Sequence, residues 1–327
     1  MTSGVLVIGS LNYDMIYNVV DLPRPHETVA ATAFDTAPGG KGSNQAVACA
    51  VTSAAPVTML GCVGRDMYAE RCVGYLEANR VDVTQLQVQE GVPTGTACVL
   101  VDKAGDNLIV VSAGANGKLT PHHIERADDL FAKHSVALLQ LEVPLETVRR
   151  SLEVARKHGA LTILNPAPYV SGVEAFMPLA DVFTPNQTEA SSLSGVEVTD
   201  EASAREAGDR IRAMGAGTVI ITLGSQGSLV VEESGAVMVP SYAVEQVVDT
   251  TGAGDVYNGA LAGALSEGAG MVEAATLASA AASMSVMRPT ASNCAPTREA
   301  LAAFMGCLLY TSPSPRDQRG SRMPSSA

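Results

Sequence analysis

Residues 136–164 have the sequence VALLQLEVPLETVRRSLEVARKHGALTIL, which contains a complete strand–helix–strand unit. Segments 136–141 and 161–164 are short apolar runs, as expected for strands that are buried on both faces. Segment 145–158 lies between them and has a helical pattern. Two buried strands joined by a helix predict neighbouring strands of a parallel sheet that helices cover.

The same alternation continues along most of the chain. It predicts one doubly wound α/β domain over residues 1–306, with a mostly parallel sheet. Predicted strands are 5–9, 57–62, 136–141, 161–164, 181–183 and 219–223. Predicted helices are 43–54, 67–79, 121–134, 145–158, 202–214 and 253–266.

Two regions depart from this alternation. Segments 15–20 and 28–36, and then 96–101 and 107–112, have the period-2 character of strand pairs. They predict a small β-layer formed by residues 12–37 and 95–112, which acts as a lid, as a dimer surface, or as both. Residues 307–327 are rich in Ser, Pro and Arg without periodicity, so we expect a disordered or non-native tail, a short functional tail being the alternative.

Composition excludes several classes of function. The 327 residues carry a net charge of −13, whereas a protein that binds the phosphate backbone of nucleic acids needs clustered Lys and Arg. Trp is absent and aromatic residues make up 4%, which disfavours a stacking platform for single strands. The six cysteines lack CxxC spacing, which predicts reduced thiols. Neither a membrane span nor a signal peptide is evident, so we expect a cytoplasmic protein.

Two glycine-containing segments precede helices and carry polar residues. The first is PGGKGSNQA at 38–46, which differs from a Walker A loop because residue 35 is Asp and residue 42 is Gly. The second is DTTGAGDVYNG at 249–259. Its backbone N–H groups at the start of a helix can stabilise a transferring phosphoryl group, and Asp255 can accept a proton from an attacking hydroxyl. A plain turn and an ordinary helix-start Asp are the structural alternatives.

Together these segments resemble the ribokinase branch of the carbohydrate kinase family, which also includes fructokinases and adenosine kinase. Its two signatures match GGKGSNQA at 39–46 and DTTGAGDVYNGAL at 249–261. The resemblance extends from about residue 5 to about residue 304. Secondary matches are GSLNYD at 9–14, PTGTA at 93–97, AGAN at 113–116, QLEVP at 140–144, LNPAP at 164–168, TPNQTEA at 184–190 and TLGSQG at 222–227.

The resemblance implies a role for individual residues. The family's catalytic base corresponds to Asp255, and its anion hole corresponds to Gly252, Ala253 and Gly254. Sugar contacts correspond to Asn12, Asp14, Gly39, Gly40, Lys41, Asn44 and Glu142. The family residues that contact the nucleotide and magnesium correspond to Asn186, Glu189, Thr222, Gly224, Ser225, Gly227 and Ser279. Ser279 is smaller than the Asn or His that usually contacts adenine in the family.

A monovalent cation site is also implied, although this sequence departs from its usual pattern. The matching residues are Asp249, Thr251, Ser285, Arg288, Thr290 and Cys294. Thr251, Ser285 and Arg288 would contribute backbone carbonyls. The usual GAxxS pattern is TASNC here, from Thr290 to Cys294. A thiol is a poor ligand for K⁺, which prefers hard oxygen. The site therefore survives if backbone carbonyls bind the cation, and it is weakened if the hydroxyl of the usual Ser is needed.

The implied activity is phosphorylation of ribose at O5 by ATP, with Mg²⁺ and K⁺ as cofactors, in a homodimer formed through the β-layer. Alternatives within the family are a deoxyribokinase, a fructokinase or a nucleoside kinase. A non-catalytic sugar-binding protein on the same scaffold is an alternative from another class, which the intact base and anion hole disfavour. An NAD oxidoreductase is excluded because no GxGxxG follows a strand.

Overall fold

A computed structural model describes residues 3–289 and 292–311. The strands in chain order are β1 (Val5–Ile8), β2 (Asn12–Asn18), β3 (Ala33–Gly39), β4 (Val57–Leu60), β5 (Cys62–Gly64), β6 (Val81–Asp82), β7 (Gln87–Gln89), β8 (Gly95–Val101), β9 (Asn107–Ser112), β10 (Val136–Leu139), β11 (Leu161–Leu164), β12 (Val182–Phe183), β13 (Thr218–Thr222), β14 (Ser228–Glu232) and β15 (Gly235–Val239). The α-helices are α1 (Lys41–Thr52), α2 (Met67–Ala78), α3 (Pro121–Arg126), α4 (Asp128–Phe131), α5 (Leu145–Lys157), α6 (Gln187–Ser194), α7 (Glu201–Ala213), α8 (Ala253–Ser266), α9 (Met271–Ser285) and α10 (Arg298–Thr311).

The main sheet is mostly parallel, which confirms the predicted fold class. Its strand order is β15-β14-β13-β12-β11-β10-β1-β4-β6, and within the described residues only β14 is antiparallel to its neighbours, which are β13 and β15. Successive residues of a strand point to opposite faces. Leu6 and Ile8 of β1 therefore belong to the core cluster that includes α3 to α7, whereas Val5 and Val7 belong to the cluster that includes α1, α2, α8 and α9. Helices thus cover both faces.

The predicted β-layer is a separate four-stranded sheet with the order β3-β2-β8-β9. Strand β2 pairs with β3 in the antiparallel direction and with β8 in the parallel direction. The face that carries Asp14, Ile16, Val99 and Ile109 lines a cleft toward the main domain. The small sheet therefore forms one wall of this cleft.

Several predicted boundaries were wrong. The antiparallel pair β14 and β15 was missed. Segment 57–62 is two strands that Gly61 separates, and it was predicted as one. Segment 121–134 was predicted as one helix but is interrupted at Ala127, whose φ of −96° and ψ of 11° leave the helical region.

The C-terminal stretch is only partly described. Helix α10 continues to Thr311, past the predicted start of the tail at residue 307. The rest of the predicted tail, 312–327, lies outside the described residues. In the ranges that the structure covers, no helix combines the length and the apolar character needed to span a bilayer.

Candidate active site

A cleft of about 690 Å³ lies between the small sheet and the first turns of α1 and α8. The carboxyl ends of parallel strands in an open α/β sheet are the usual place for a ligand. The cleft brings together most of the predicted sugar and catalytic residues. These are Asn12, Asp14, Gly40, Lys41, Asn44, Glu142, Gly252 and Asp255.

Glycine is required where α1 begins. Gly40 precedes the helix with φ +89°, in the left-handed region that L side chains rarely adopt. Gly39 ends β3 against Asp14, and a Cβ at this position would lie 2.2 Å from the Asp14 Oδ2 atom. The two glycines therefore allow the chain to turn from the small sheet into α1 while Asp14 stays beside it.

Five carboxylates and one ammonium group line the cleft: Asp14, Asp35, Glu142, Asp249, Asp255 and Lys41. Burial, followed by the charges of Glu142 and Asp255, raises the pKa of Asp14 to about 7. The charge of Asp255 raises the pKa of Lys41, and those of Glu142 and Glu189 add to this effect although burial opposes it. Lys41 therefore stays positively charged among the carboxylates.

Glu142 joins the end of β10 to the start of α1. Its Oε2 atom accepts a hydrogen bond from the Ser10 hydroxyl at 2.5 Å and one from the backbone N–H of Lys41 at 3.0 Å. A carboxylate at a helix N-terminus is stabilised by the helix dipole. The side chain of Glu142 is therefore fixed, and it also lines the cleft.

The first turn of α8 carries Asp255. Gly252 precedes this helix with φ +80°, and no side chain caps the helix start. Asp255 is 7% exposed and accepts hydrogen bonds from Asn44 Nδ2 at 3.1 Å and from Gln45 Nε2 at 2.9 Å. Ala253 N–H donates to the Thr250 carbonyl at 3.2 Å. A helix start that no side chain caps, with a carboxylate beside it, is an anion-binding end with an adjacent proton acceptor.

The predicted magnesium and triphosphate residues lie outside the lining of this cleft. Asn186 and Glu189 form a capping box at the start of α6: Glu189 N–H donates to Asn186 Oδ1 at 2.8 Å, and Asn186 N–H donates to Glu189 Oε2 at 2.9 Å. Burial raises the pKa of Glu189. A single β-bridge joins Asn186 to Thr222, which brings the NxxE segment beside the predicted nucleotide loop.

The nucleotide loop is made mainly of backbone. Gly224, Ser225 and Gln226 form a 3₁₀ turn after β13, and Gly227 follows with φ +102°. Ser279 lies on α9, is 4% exposed, and donates its hydroxyl to the Pro240 carbonyl at 3.0 Å. That hydroxyl is therefore engaged by the protein itself.

The predicted cation residues lie around the loop before α8. The N–H groups of Val248 and Asp249 donate to the Val286 carbonyl, and Thr251 N–H donates to Asp249 Oδ1 at 2.8 Å. The Ser285 hydroxyl donates to Ala282 O, and the Ser285 carbonyl accepts the N–H of Arg288.

The remaining two residues of the predicted cation site are Cys294 and Thr290. Burial raises the pKa of Cys294 to about 11, so this position carries a neutral thiol, which is a poor fit for K⁺. Thr290 lies outside the described residues.

Sequence reasoning missed a set of buried polar residues behind the base. They are Ser10, Gln45, Gln140, Asn165, Thr184 and Asn258. Gln140, Asn165 and Thr184 each follow a buried strand directly, and a polar group that is buried there needs a partner. This signal was available in the sequence.

This fold and this site define an enzyme that transfers a phosphoryl group to a small hydroxyl compound. The model of the family described as pfkB family carbohydrate kinase matches residues 2–298. The chain belongs to this family.

Two relatives with different names match at similar identity. The ribokinase of Haemophilus influenzae is 35% identical over 305 residues, which cover 93% of this chain and 99% of that protein. The deoxyribokinase of Salmonella typhi is 36% identical over 259 residues, which cover 79% of this chain and 84% of that protein. Sequence identity alone therefore does not separate these two sugars.

A solved structure has the same fold. Arabidopsis thaliana ribokinase, complexed with ribose and ATP, is 29% identical with a TM-score of 0.85 and covers 93% of this chain and 99% of its own.

Proposed function

We propose that this protein transfers the γ-phosphoryl group of ATP to the 5-hydroxyl of D-ribose. The observation that carries the proposal is the convergence of Asp14, Lys41, Glu142 and Asp255 on one cleft beside the uncapped start of α8. The relatives named ribokinase, and the one solved with ribose and ATP, support ribose and ATP as the substrates.

Asp14 and Asn12 would hold the sugar. An ionised carboxylate only accepts hydrogen bonds, so it suits the two donors of a vicinal diol. Asn12 is 3% exposed and its Oδ1 accepts a hydrogen bond from Asn116 Nδ2 at 2.8 Å, which fixes the amide orientation. Gly39, Gly40, Asn44 and Glu142 would complete the sugar site.

Asp255 would act as the general base. Its carboxylate takes the proton from the sugar 5-hydroxyl while that oxygen bonds to the γ-phosphorus. The bond from phosphorus to the bridging oxygen breaks, and its electron pair leaves with ADP. The N–H groups of Gly252, Ala253 and Gly254 would stabilise the charge on the transferring group, and Lys41 would add its positive charge.

Asn186 and Glu189 would organise the triphosphate through water and Mg²⁺. Oxygen donors are the ligands that Mg²⁺ prefers, and Mg²⁺ usually keeps several waters, so this sparse set fits. When bound, Mg²⁺ neutralises charge on the β- and γ-phosphates. The nucleotide would be held by Thr222, Gly224, Ser225 and Gly227. Ser279 would lie beside its adenine ring.

A monovalent cation such as K⁺ would be bound by oxygens alone. The candidates are Asp249 and the backbone carbonyls of Thr251, Ser285 and Arg288. The Cys294 thiol would not be a ligand. We expect K⁺, but not choline, to raise both the melting temperature and the rate of ADP release; equal values in the two salts would contradict this site.

A homodimer would form through the small sheet. Edge strand β9 is exposed at every residue, and its apolar Leu108 and Val110, which alternate with the cleft-lining Ile109 and Val111, are 42% and 60% exposed. An exposed apolar edge strand is a template for pairing, and a second copy would cover it. We expect light scattering to give a dimer and Val110→Lys to give a monomer; a monomeric parent protein would contradict the proposal.

The substrate test is ADP release with Mg-ATP and a panel of ribose, deoxyribose, fructose and adenosine. We expect kcat/KM to be highest for ribose. The identity to a deoxyribokinase makes deoxyribose the second candidate, and a higher kcat/KM for this sugar would replace ribose in the proposal. Ribose binding without turnover would instead indicate a sugar-binding protein.

A further inference from the structure

A buried row of polar side chains lies directly behind the proposed base. Gln140, Asn165 and Thr184 follow the parallel strands β10, β11 and β12, and Gln45 lies above them on α1. Their exposed fractions are 0%, 7%, 1% and 0% respectively. Four buried polar side chains at neighbouring strand ends indicate a built network, because each would be costly without partners.

Gln45 is the centre of this network. Its Nε2 group donates to Asp255 Oδ1 at 2.9 Å and to Asn165 Oδ1 at 3.1 Å, so both of its protons are used. Its Oε1 atom accepts from Gln140 Nε2 at 2.6 Å. All three bonds fix one orientation of the amide, with its donor side toward the Asp255 carboxylate.

A second branch reaches the proposed anion hole. Asn165 Nδ2 donates to the Thr184 carbonyl at 3.0 Å, and the Thr184 hydroxyl donates to Asn258 Oδ1 at 2.6 Å. Asn258 Nδ2 then donates to the Gly254 carbonyl at 2.8 Å. The network therefore anchors both the carboxylate and the first turn of α8 to the ends of the main sheet.

We propose that Gln45 is the positioning residue for the Asp255 carboxylate, an inference that rests on the proposed role of Asp255 as the base. Gln45 is fully buried, so it acts from behind the carboxylate and not on the sugar. It holds Oδ1 in place. Oδ2, whose protein partner is the cleft residue Asn44, is left on the substrate side. A base displaced from its reacting atom loses rate even though substrate binding is kept.

The two glutamines of the network provide a matched pair of variants. Gln45→Met keeps the length of the side chain and removes the donors to Asp255. Gln140→Met removes one step of the same network but leaves the bond from Gln45 to Asp255 possible. We expect Gln45→Met to lower kcat by about 10- to 100-fold with KM for ribose and ATP changed less than about threefold. Gln140→Met is expected to lower kcat by less than Gln45→Met does, because Gln45 loses one orienting bond but can still donate to Asp255.

Melting temperature is measured for both variants, since each loses buried hydrogen bonds. Gln45→Asn is the second variant if Gln45→Met fails to fold: it keeps an amide that is one carbon too short to reach Asp255, and the same loss of kcat is expected. Normal kcat in a folded Gln45 variant overturns the proposal. An equal loss of kcat in Gln140→Met also overturns it, because the network then acts on the fold alone.

A double variant separates this inference from the proposed function. If Gln45 acts through the carboxylate, adding Gln45→Met to Asp255→Asn lowers the residual kcat by less than about threefold. A further loss as large as in the parent background overturns the positioning role. Full turnover by Asp255→Asn alone overturns the base assignment, and the role of Gln45 with it. An inactive Asp255→Asn beside a normal Gln45→Met overturns the positioning role only.

Discussion

The two halves of the proposed site are built differently. On the sugar side, Asp14, Lys41 and Glu142 belong to a cluster of charges held by hydrogen bonds and partial burial. On the nucleotide side, Gly224 and Ser225 are exposed, and residues 240–252 contain no regular helix or strand. The sugar side is therefore held by contacts between side chains and backbone, whereas the nucleotide side presents mainly backbone.

This difference follows from the two ligands. A sugar is neutral and is distinguished only by where its hydroxyls point, so fixed side-chain acceptors and donors are needed. A triphosphate carries several charges, which backbone N–H groups and a helix N-terminus can bind without precise side chains. Side-chain changes on the sugar side should therefore have larger effects, and the following predictions test this ordering.

Asp255→Asn should have the largest effect, because this carboxylate lies where the two halves meet. We expect kcat to fall by about 10³-fold, since the amide cannot accept the hydroxyl proton. ADP release measures the loss, and calorimetry should show that ribose still binds. Asp209→Asn, an exposed change on α7, is the control and should keep full kcat. Substantial turnover by Asp255→Asn would contradict its role.

Gly40→Ala should have the next largest effect. A Cβ at this position would lie 2.7 Å from the backbone N of Asn12, and the φ of +89° adds strain. We expect a loss of about 3 kcal/mol in the free energy of unfolding and a rise of about 10- to 100-fold in KM for ribose. Urea unfolding and steady-state kinetics measure the two effects.

Gly254→Ala is the matched change on the nucleotide side. A Cβ at Gly254 would meet no atom within 4 Å, and the residue lies inside a helix. The free energy of unfolding should change by less than about 1 kcal/mol, while KM for ATP rises because the methyl group occupies the proposed anion site. Equal destabilisation by both alanines would break the comparison.

Most of the fold could be predicted from sequence, because buried parallel strands are continuous apolar runs. Strand β11 and helix α8 were predicted with their observed bounds. The antiparallel pair β14 and β15 was missed because the sequence reasoning ended the sheet at 219–223. Ala127 interrupts segment 121–134 without a Gly or Pro to mark the break.

The site was predicted in part. The glycine-containing segments and the charged residues beside them have short, recognisable patterns. Asp14 could be located this way, but the rise in its pKa depends first on burial and then on Glu142 and Asp255, which are distant in sequence. Gln45 lies inside the GGKGSNQA segment, but its contact with Asp255 joins residues 210 positions apart, so the local pattern does not indicate this partner.

Asp14→Asn should show how much the buried carboxylate of Asp14 lowers the free energy of unfolding. The pKa of Asp14 is about 7 in the folded chain and about 3.8 as its ordinary value. Between these values the folded protein holds a proton that the unfolded chain has lost, so the free energy of unfolding falls as pH rises from about 4 to about 7. Asp14→Asn removes this contribution, because an amide does not titrate.

At pH 8 we expect Asp14→Asn to be more stable than the parent by about 2 kcal/mol, and at pH 4 the two should be equal. KM for ribose should rise by about tenfold, because a carboxylate acceptor is lost. Urea unfolding across this pH range and steady-state kinetics measure both effects. Asp209→Asn should leave the pH dependence unchanged. A stability gain that is the same at pH 4 and pH 8 would contradict the shifted pKa.

Ser279→Ala should have the smallest effect on activity, if the nucleotide side depends on backbone. The hydroxyl of Ser279 is engaged with the Pro240 carbonyl, so its loss should cost about 1 kcal/mol of stability and change KM for ATP by less than about threefold. Ser283→Ala, on the same helix, removes a hydroxyl that accepts the Tyr242 N–H and is the matched control. If Ser279→Ala alone raises KM for ATP by about tenfold, a side chain on this side recognises the nucleotide, and the contrast between the two halves fails.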